Sequence, residues 1–294
     1  MAPVAWVRRT VLILITAYIV LILLLLVFEN RLIFFPQIPG RLSGDWSPPD
    51  LNHEDVWLTA ADGVRLHAWW ISAPADRAAA DAPTFLCFHG NAANIAWRAD
   101  VYRFLRDLPS NVFALEYRGY GHCEGSPNES GIYRDADAAY DFLVRERSVP
   151  PRRIIAFGQS LGTAVAAELA AQHEVGGVVL EAPFPSARAL ARRFYWFVPG
   201  IEWFMRSRFE TSKNLALASS KFAAPLLVVH CTRDPVIPFV FGQQVFDRAP
   251  QPKSFVAITG ECHEEATLID PGTLRRELLP FLEQVRTSRP LAPQ

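Results

Sequence analysis

The chain has 294 residues and half of them are apolar, which is enough to bury the core of one large domain. With 29 basic and 30 acidic side chains, the net charge is close to zero. This balance excludes a strongly basic nucleic-acid-binding protein, so we expect no nucleic-acid partner. The four cysteines lack the spacing of zinc sites, and we expect no metal.

The first apolar segment is long enough to cross a membrane. Residues 11–28 contain no charged side chain, and ~20 apolar residues span a bilayer as a helix. No small-residue cleavage site follows, which favours an uncleaved single-pass anchor over a signal peptide or a buried core helix. The numbers of basic residues before and after the segment are nearly equal, so charge alone does not decide its orientation. The short basic segment before it favours a domain outside the cytoplasm, in the periplasm or a lumen.

The remaining domain boundaries follow from composition. We expect four further segments: a tail over 1–10, a linker over 29–52, a globular domain over 53–287 and a second tail over 288–294. The protein is therefore predicted to be membrane-bound through its N-terminal helix, with no signal that identifies a protein partner.

Strands and helices alternate through the predicted domain. An Asp-Gly turn joins two antiparallel strands, EDVWLTA and VRLHAWWIS. Six more apolar strands follow in order: PTFLCF, NVFALEY, RRIIAFG, GGVVLEAP, PLLVVH and KSFVAIT. The alternation predicts an α/β fold with a mostly parallel sheet, helices on both faces and antiparallel strands at one edge. Residues 184–224 interrupt it with an aromatic-rich insertion, which we expect to form a short helical cap over the strand ends.

The segment IIAFGQSLGTAVA at 154–166 contains a Gly-x-Ser-x-Gly pentapeptide centred on Ser160. An apolar strand precedes the serine and an Ala-rich helical segment follows it. A catalytic serine needs such a sharp strand-to-helix turn, where Gly158 and Gly162 relieve crowding between strand and helix. The flanks therefore favour a nucleophile over a coincidental pair of glycines.

A histidine must lie within reach of Ser160 to act as its base. The motif predicts the chain order Ser, then Asp or Glu, then His, which leaves His173, His230 and His263. His173 ends a helix, where a capping role is the ordinary explanation. His230 ends a strand and is a more serious rival. His263 lies in a Gly-containing loop after the last strand, and we favour it because catalytic groups gather at strand carboxyl ends.

Asp234 is the best candidate for the acid that orients the base. It follows the strand PLLVVH, so adjacent strand ends would bring it to His263, where it could accept the imidazole N–H. A simple turn before Pro235 is the alternative explanation. The fallback acids are Asp270, Glu264 and Glu265, which lie close to His263 in sequence.

An oxyanion hole requires two backbone N–H donors. Leu161, directly after the nucleophile, supplies the first. The loop after PTFLCF is the predicted source of the second, where Gly90 permits close backbone approach and Asn91 N–H is the best donor. We expect His89 to orient this loop by hydrogen bonding rather than to act as a base.

Five motifs in order carry a family resemblance: FHGNA at 88–92, EYRGYGHCEGSPNE at 116–129, GQSLG at 158–162, TRDPVIP at 232–238 and GECHE at 261–265. Together they resemble an alpha/beta-hydrolase-fold serine hydrolase, in the branch with one N-terminal membrane span and the HGN and YRGYG segments. The resemblance implies a triad of Ser160, Asp234 and His263, in agreement with the choice made from the residues.

The sequence departs from the family pattern at three cysteines. Cys231 replaces a usual glycine, Cys262 stands before the catalytic histidine where small residues are frequent, and Cys123 replaces a frequent serine. We hypothesise that Cys231 and Cys262 form a disulfide that braces the acid loop against the histidine loop, which requires Cα atoms within about 7 Å.

The predicted function is a membrane-anchored serine hydrolase that cleaves a small-molecule ester or thioester through an acyl-enzyme, without a cofactor. The aromatic cap near a membrane suggests an acyl-chain or other apolar substrate. A serine peptidase of the same fold shares the triad chemistry and is the first alternative. A non-catalytic membrane-tethered binding protein is the second, although the intact triad order argues against it.

Overall fold

The computed structural model describes residues 2–75, 82–221 and 224–287. Eight strands within these ranges are β1 Glu54–Thr59, β2 Arg65–Ile71, β3 Thr84–Phe88, β4 Asn111–Leu115, β5 Ile154–Gln159, β6 Gly177–Glu181, β7 Leu226–Cys231 and β8 Lys253–Ile258. They form one sheet in the order β1-β2-β4-β3-β5-β6-β7-β8. The strands β1 and β2 pair antiparallel, β2 pairs antiparallel with β4, and every later pair is parallel. This arrangement confirms the predicted sheet.

The helices of the described residues are α1 Ala2–Val27, α2 Glu29–Ile33, α3 Ala99–Arg106, α4 Glu129–Arg145, α5 Leu161–Gln172, α6 Ala187–Phe194, α7 Ile201–Phe204, α8 Thr211–Lys221, α9 Phe239–Arg248, α10 Ala266–Ile269 and α11 Pro271–Thr287. Two apolar clusters form the core, one of which includes residues of α4 and α5 and the other residues of α3 and α11. The central strands β3, β5, β6 and β7 are buried along their whole length, as expected where helices cover both faces.

The N-terminal helix extends beyond the predicted span. It begins at Ala2, within the segment predicted as a tail, and residues 4–27 are long and apolar enough to cross a membrane. The segment after it, predicted as a linker, lies on the domain. Its residues Phe34 and Leu51 are buried, and Phe35 forms a parallel bridge with Ala92. The predicted tail 288–294 lies outside the described residues.

The described part of the insertion predicted at 184–224 contains helices α6, α7 and α8, as predicted, but only part of it covers the strand ends. Helix α6 lines the cavity above Ser160, at the carboxyl end of β5, and α7 packs against α6 and α1, whereas α8 packs along α5 in the helical layer of the sheet. The reason is compositional: Leu215 of α8 joins the main core, while α7 and its flanks carry aromatics that remain exposed. We therefore use the word cap for residues 184–209.

Candidate active site

Ser160 occupies the sharp turn between β5 and α5. Its backbone has φ +50° and ψ −114°, a conformation that L-residues rarely adopt and that costs on the order of 1–3 kcal/mol. The hydrogen bond from its N–H to the carbonyl of Glu181 in the neighbouring strand, 2.9 Å long, helps to hold this strained turn. The serine side chain lines a cavity under the cap. This is the geometry that the pentapeptide predicts for a nucleophile.

The two glycines of the pentapeptide permit β5, α5 and β3 to approach closely. A Cβ at Gly162 would lie 2.0 Å from the carbonyl oxygen of Phe88, and one at Gly158 would lie 2.3 Å from the carbonyl oxygen of Gly162. Both obstacles are backbone atoms, which cannot rotate away. Any side chain at these positions would push the turn at Ser160 away from the loop at 89–92, which we call the oxyanion loop after its predicted role.

A Gly162→Ala variant is expected to unfold at a lower temperature than the wild type. Overpacking of this kind costs ~1–3 kcal/mol, and each kcal/mol lowers the midpoint by about 2–4 °C in a domain of this size. Circular dichroism during thermal unfolding measures the shift. Gly272→Ala is the matched control, because its new methyl group would lie 3.8 Å from the nearest atom, on the first turn of α11. Equal midpoints for Gly162→Ala and the wild type would contradict the packing argument.

Asp234 and His263 meet over the ends of β7 and β8. The imidazole Nδ1 donates to Asp234 Oδ2 at 2.8 Å, while the other carboxylate oxygen accepts the N–H groups of Val236 and Ile237 at 2.7 and 2.8 Å. The Asp234 side chain is fully buried and that of His263 is 16% exposed. The structure therefore brings together the predicted acid and base. Within the described residues, the Ser160 hydroxyl makes no hydrogen bond to His263, a contact that apo sites often form only on binding substrate.

The environment sets the charge of this pair. Burial alone would raise the pKa of Asp234, but hydrogen bonds from His230, His263 and the Ile237 N–H lower it well below its usual range. Burial would lower the pKa of His263, yet the bond to Asp234 and nearby carboxylates raise it above the ordinary value. Asp234 is thus held ionised, ready to stabilise an imidazolium.

His230, the rival base, lies beneath the acid rather than beside the nucleophile. Its ring is fully buried, and Nε2 donates to the carbonyl of Ile237 at 3.0 Å while lying 3.4 Å from Asp234 Oδ2. Gly242 packs against its other face, where a Cβ would come within 2.1 Å of Nδ1. His230 therefore positions Asp234. His173 is also remote, since its Nε2 pairs with Asp137 at 2.9 Å.

A disulfide links the loops that carry the acid and the base. Cys231 and Cys262 are bonded, with Cα atoms 5.6 Å apart, as hypothesised. The bond ties the last residue of β7, three positions before Asp234, to the residue before His263. Cys87 and Cys123 are buried free thiols.

The oxyanion loop is held from below by His89. Its Nδ1 donates to the carbonyl of Gly90 at 2.7 Å, and its Nε2 lies 2.9 Å from Glu116 Oε1, with both side chains fully buried. The ring of Tyr117 lies against the imidazole at 4.1 Å. His89 has no route to Ser160 through these contacts, which agrees with its predicted orienting role.

Asn91 uses both its side chain and its carbonyl in hydrogen bonds that hold it in place. Nδ2 donates to the carbonyl of Ile33 at 3.0 Å, and its carbonyl accepts from Phe35 N–H and from the Tyr120 hydroxyl, both at 2.8 Å. Asn91 lines the same cavity as Ser160 and Leu161. Leu161 begins α5, where a helix leaves its first N–H groups without intrahelical acceptors.

Arg98 joins the oxyanion loop to the histidine loop. This buried guanidinium contacts Glu264 Oε2 at 2.8 Å and donates to the carbonyls of Ala92 and Asn94 at 3.1 and 3.2 Å. Glu264, a fallback acid in the sequence, is therefore engaged by an arginine. The charge of Glu264 keeps the pKa of Arg98 raised despite burial. Among the other fallback acids, Glu265 accepts backbone N–H groups of its own loop, and Asp270 accepts Thr273 N–H at 2.9 Å.

Glu181 is a buried carboxyl group at the end of β6, next to the candidate triad. One oxygen accepts from Gln159 Nε2 at 2.8 Å and the other from Ala266 N–H at 2.9 Å. Gln159 also donates to the carbonyl of Glu264 at 3.1 Å, so the pair braces the loop that carries His263. Burial, partly offset by these two donors, raises the pKa of Glu181 to about 7.

A mostly apolar cavity of about 230 Å³ lies between the nucleophile turn and the cap. Three site residues, Asn91, Ser160 and Leu161, form its floor. Its apolar walls come from α2, from the cap and from the loop after Asp234: Leu32, Ile33, Phe184, Ala187, Leu190, Ala191, Phe194, Tyr195, Met205, Phe209, Val236 and Ile237. Such a cavity suits an apolar chain attached to a reactive carbonyl.

Known proteins resemble this chain in both fold and sequence. The alpha/beta hydrolase fold family matches residues 83–232, just over half of the chain. The alpha/beta hydrolase domain-containing protein WAV2 of Arabidopsis thaliana is 35% identical over 285 residues, which covers 89% of both chains. The chain belongs to the alpha/beta hydrolase fold family.

This alpha/beta hydrolase also resembles a second sequence relative and a solved structure. The alpha/beta hydrolase domain-containing protein 17B of Xenopus laevis is 31% identical over 208 residues, covering 68% of this chain and 66% of the relative. Among solved structures, the esterase Pf2001 of Pyrococcus furiosus superposes with a TM-score of 0.65 at 21% identity. The superposition covers 86% of this chain and 97% of that one. At this identity the likeness supports the fold alone.

Sequence reasoning missed four parts of the chain that hold this alpha/beta hydrolase site in place. Gln159 and Glu181 could have been identified from the sequence, because each is a polar residue that ends an apolar strand near Ser160. Arg98 could not, because its partner Glu264 is 166 positions away. The fourth is the segment at 29–52, whose composition resembles a free linker: Phe35 N–H donates to the carbonyl of Asn91, and Ala93 N–H donates to that of Ile38.

Proposed function

We propose that this chain is a membrane-anchored serine hydrolase that cleaves a carboxylic ester or thioester of an apolar acyl group. The observation that carries the proposal is the buried Asp234–His263 hydrogen bond beside the strained Ser160 turn, at the edge of an apolar cavity. Chain order and placement at strand ends support the same three residues.

The proposed reaction begins when Ser160 Oγ attacks the substrate carbonyl carbon and His263 Nε2 accepts the hydroxyl proton. Asp234 stabilises the resulting imidazolium through Nδ1–H. The N–H groups of Asn91 and Leu161 bind the oxyanion. His263 then returns the proton to the departing alcohol or thiol, and an acyl-enzyme ester remains on Ser160. Water, deprotonated by His263, releases the carboxylic acid and regenerates the serine.

Membrane attachment and sidedness form part of the proposal. Helix α1 itself packs on the cap, since Ile22 lies in a buried cluster with cap residues and the Tyr18 hydroxyl donates to the carbonyl of Pro199. A leader that is removed would not need such contacts. The disulfide between Cys231 and Cys262 suits an oxidising compartment, which supports a domain outside the cytoplasm. A reporter fused to the C-terminus tests the side of the membrane.

Turnover of matched substrates tests the reaction class. We expect the purified full chain to hydrolyse acyl esters and thioesters, and not peptides with the same hydrophobic groups. Peptide cleavage without ester cleavage would instead indicate a peptidase. A correctly folded wild type with no hydrolytic activity would favour a binding protein.

The pH profile is expected to report the raised pKa of His263. Only the neutral imidazole can accept the serine proton, so kcat/KM should rise with pH, with a midpoint above the ordinary histidine value of ~6.5. The protonated histidine paired with Asp234 also contributes to the free energy of unfolding, and this contribution changes with pH in the opposite direction to kcat/KM. It is present below pH ~6.5 and is lost as pH rises through the folded-state pKa.

A Glu181→Gln variant separates this effect from titration of the neighbouring carboxyl, whose pKa is about 7. If His263 causes the rise of kcat/KM with pH, the same rise should be seen in the Glu181→Gln variant. A midpoint at or below pH 6.5, or a rise that disappears with Glu181, would contradict the assignment.

A further inference from the structure

The membrane-proximal end of α1 packs against the cap. Ile22 lies in a buried cluster with Ala191, Val198 and Ile201, and residues of the same helix from 18 to 26 surround it. At ~1.5 Å per residue, this contact follows about 12 Å of the helix. A leaflet of hydrocarbon is only ~15 Å deep, so a spanning α1 would carry the cap into one leaflet.

Polar contacts fix this position. Glu29 is 4% exposed and accepts the N–H groups of Ser207 at 2.6 Å and Arg206 at 3.2 Å. The Arg206 guanidinium donates to the carbonyl of Leu26, and the Tyr18 hydroxyl donates to that of Pro199. The anchor and the cap are therefore one packed unit rather than two parts joined by a loose chain.

The cap surface beside α1 is aromatic and exposed. Five large side chains are between 47% and 76% exposed: Phe194, Trp196, Phe197, Trp203 and Phe204. A patch of this kind is unusual on a water-facing surface and marks contact with a membrane or a partner. Arginines on α6 add the positive charge found on helices that lie in a lipid interface. Continuity with the apolar α1 indicates a bilayer as the occupant.

The cavity above Ser160 has a neighbouring cavity on the side of α1. A second, smaller cavity is lined by Leu25 and Leu26 of α1, and it shares five wall residues with the cavity above Ser160: Leu32, Ile33, Ala191, Tyr195 and Met205. The two cavities are therefore neighbours with a common apolar wall, and the outer one, which Glu29 also lines, reaches the end of α1 nearest the domain.

We propose, on the basis of the function proposed above, that the acyl chain of the substrate enters sideways from the bilayer, between α1 and the cap. The cap aromatics lie in the leaflet, and the chain passes Leu25 and Met205 before its carbonyl meets Ser160. The substrate class is thus a long-chain acyl ester or thioester resident in the membrane.

Lipid quenching tests the position of the cap without requiring catalysis. The full chain is reconstituted in phosphatidylcholine vesicles whose acyl chains are brominated, and tryptophan fluorescence is recorded. A double Trp196→Phe, Trp203→Phe variant should lose a large share of the quenched emission. The matched Trp57→Phe, Trp97→Phe variant removes two exposed tryptophans of the hydrolase domain and should retain it. Equal quenching in wild type and cap variant would overturn the proposal.

Chain-length selectivity tests the route. A Leu25→Trp variant should hydrolyse a long-chain ester in vesicles about tenfold more slowly or worse, because overpacking an apolar passage costs roughly a decade in binding. A soluble short-chain ester, which needs only the inner cavity, should be cleaved at the wild-type rate. Leu24→Trp is the matched control, since Leu24 is 50% exposed on the same helix and should leave both rates unchanged.

Leu26→Trp provides a second block at the same cavity if Leu25→Trp folds poorly. Equal effects of the blocking variants on both substrates, or no effect on either, would overturn the route while leaving the hydrolase assignment intact. Absence of any hydrolysis by the wild type would instead overturn the proposed function, and the substrate route with it.

Discussion

A Ser160→Ala variant is expected to lose about 10⁵- to 10⁶-fold in kcat for ester hydrolysis while it folds normally. The methyl side chain cannot form the acyl-enzyme, so any remaining turnover must come from direct attack by water in the oxyanion hole. The fold should survive because alanine is smaller than serine, and in the described residues the serine hydroxyl makes no hydrogen bond to His263. Initial rates with an acyl ester, measured beside far-UV circular dichroism, give both results.

Ser126→Ala is the matched control for this variant. Ser126 is exposed in the loop before α4 and lines no part of the cavity, so its loss should leave kcat unchanged. A Ser160→Ala protein with wild-type folding and more than a few per cent of wild-type activity would contradict the assignment of Ser160 as nucleophile.

An Asp234→Asn variant is expected to lose about 10⁴-fold in kcat. The amide oxygen can still accept the N–H groups of Val236 and Ile237, so the loop should keep its shape. The amide nitrogen, however, would face His263 Nδ1 as a donor and would force the imidazole to carry its proton on Nε2. The lone pair that should accept the serine proton is then absent.

The alternative acids provide the controls for this variant. Asp270→Asn should leave kcat unchanged, because Asp270 caps the start of α11 through Thr273 N–H. Glu264→Gln should have a much smaller effect than Asp234→Asn, because Glu264 pairs with Arg98 rather than with His263 Nδ1. A loss in either control as large as that of Asp234→Asn would show that the acid has been assigned wrongly.

The sequence was sufficient for the sheet and for the placement of the candidate triad. All eight strands follow from short apolar runs, and the pairing of Asp234 with His263 follows from the rule that parallel strand ends share one edge. The disulfide hypothesis needed one more step, namely that Cys231 ends the strand before Asp234 and Cys262 directly precedes His263.

The contacts around the site were harder to predict because they join distant parts of the chain. Arg98 and Glu264 have no periodic or spacing signal, and their pairing depends on how two loops fold over the sheet. Residues 29–52 have a linker's composition, yet backbone hydrogen bonds tie Phe35 and Ile38 to the oxyanion loop. The predicted range of the cap was too long at its C-terminal end. The helical propensity of α8 does not reveal that the apolar face of this helix belongs to the main core.

Labelling with a fluorophosphonate probe is the most direct test of the central claim, that Ser160 is activated by His263 for attack on acyl substrates. The full-length protein is labelled and the modified peptide is identified by mass spectrometry in the wild type, Ser160→Ala and His263→Ala. We predict one adduct on the wild type, at Ser160 in the peptide that contains GQSLG, no adduct on Ser160→Ala and a strongly reduced labelling rate for His263→Ala. A folded wild type that does not react, or that is labelled at another serine, would contradict the account.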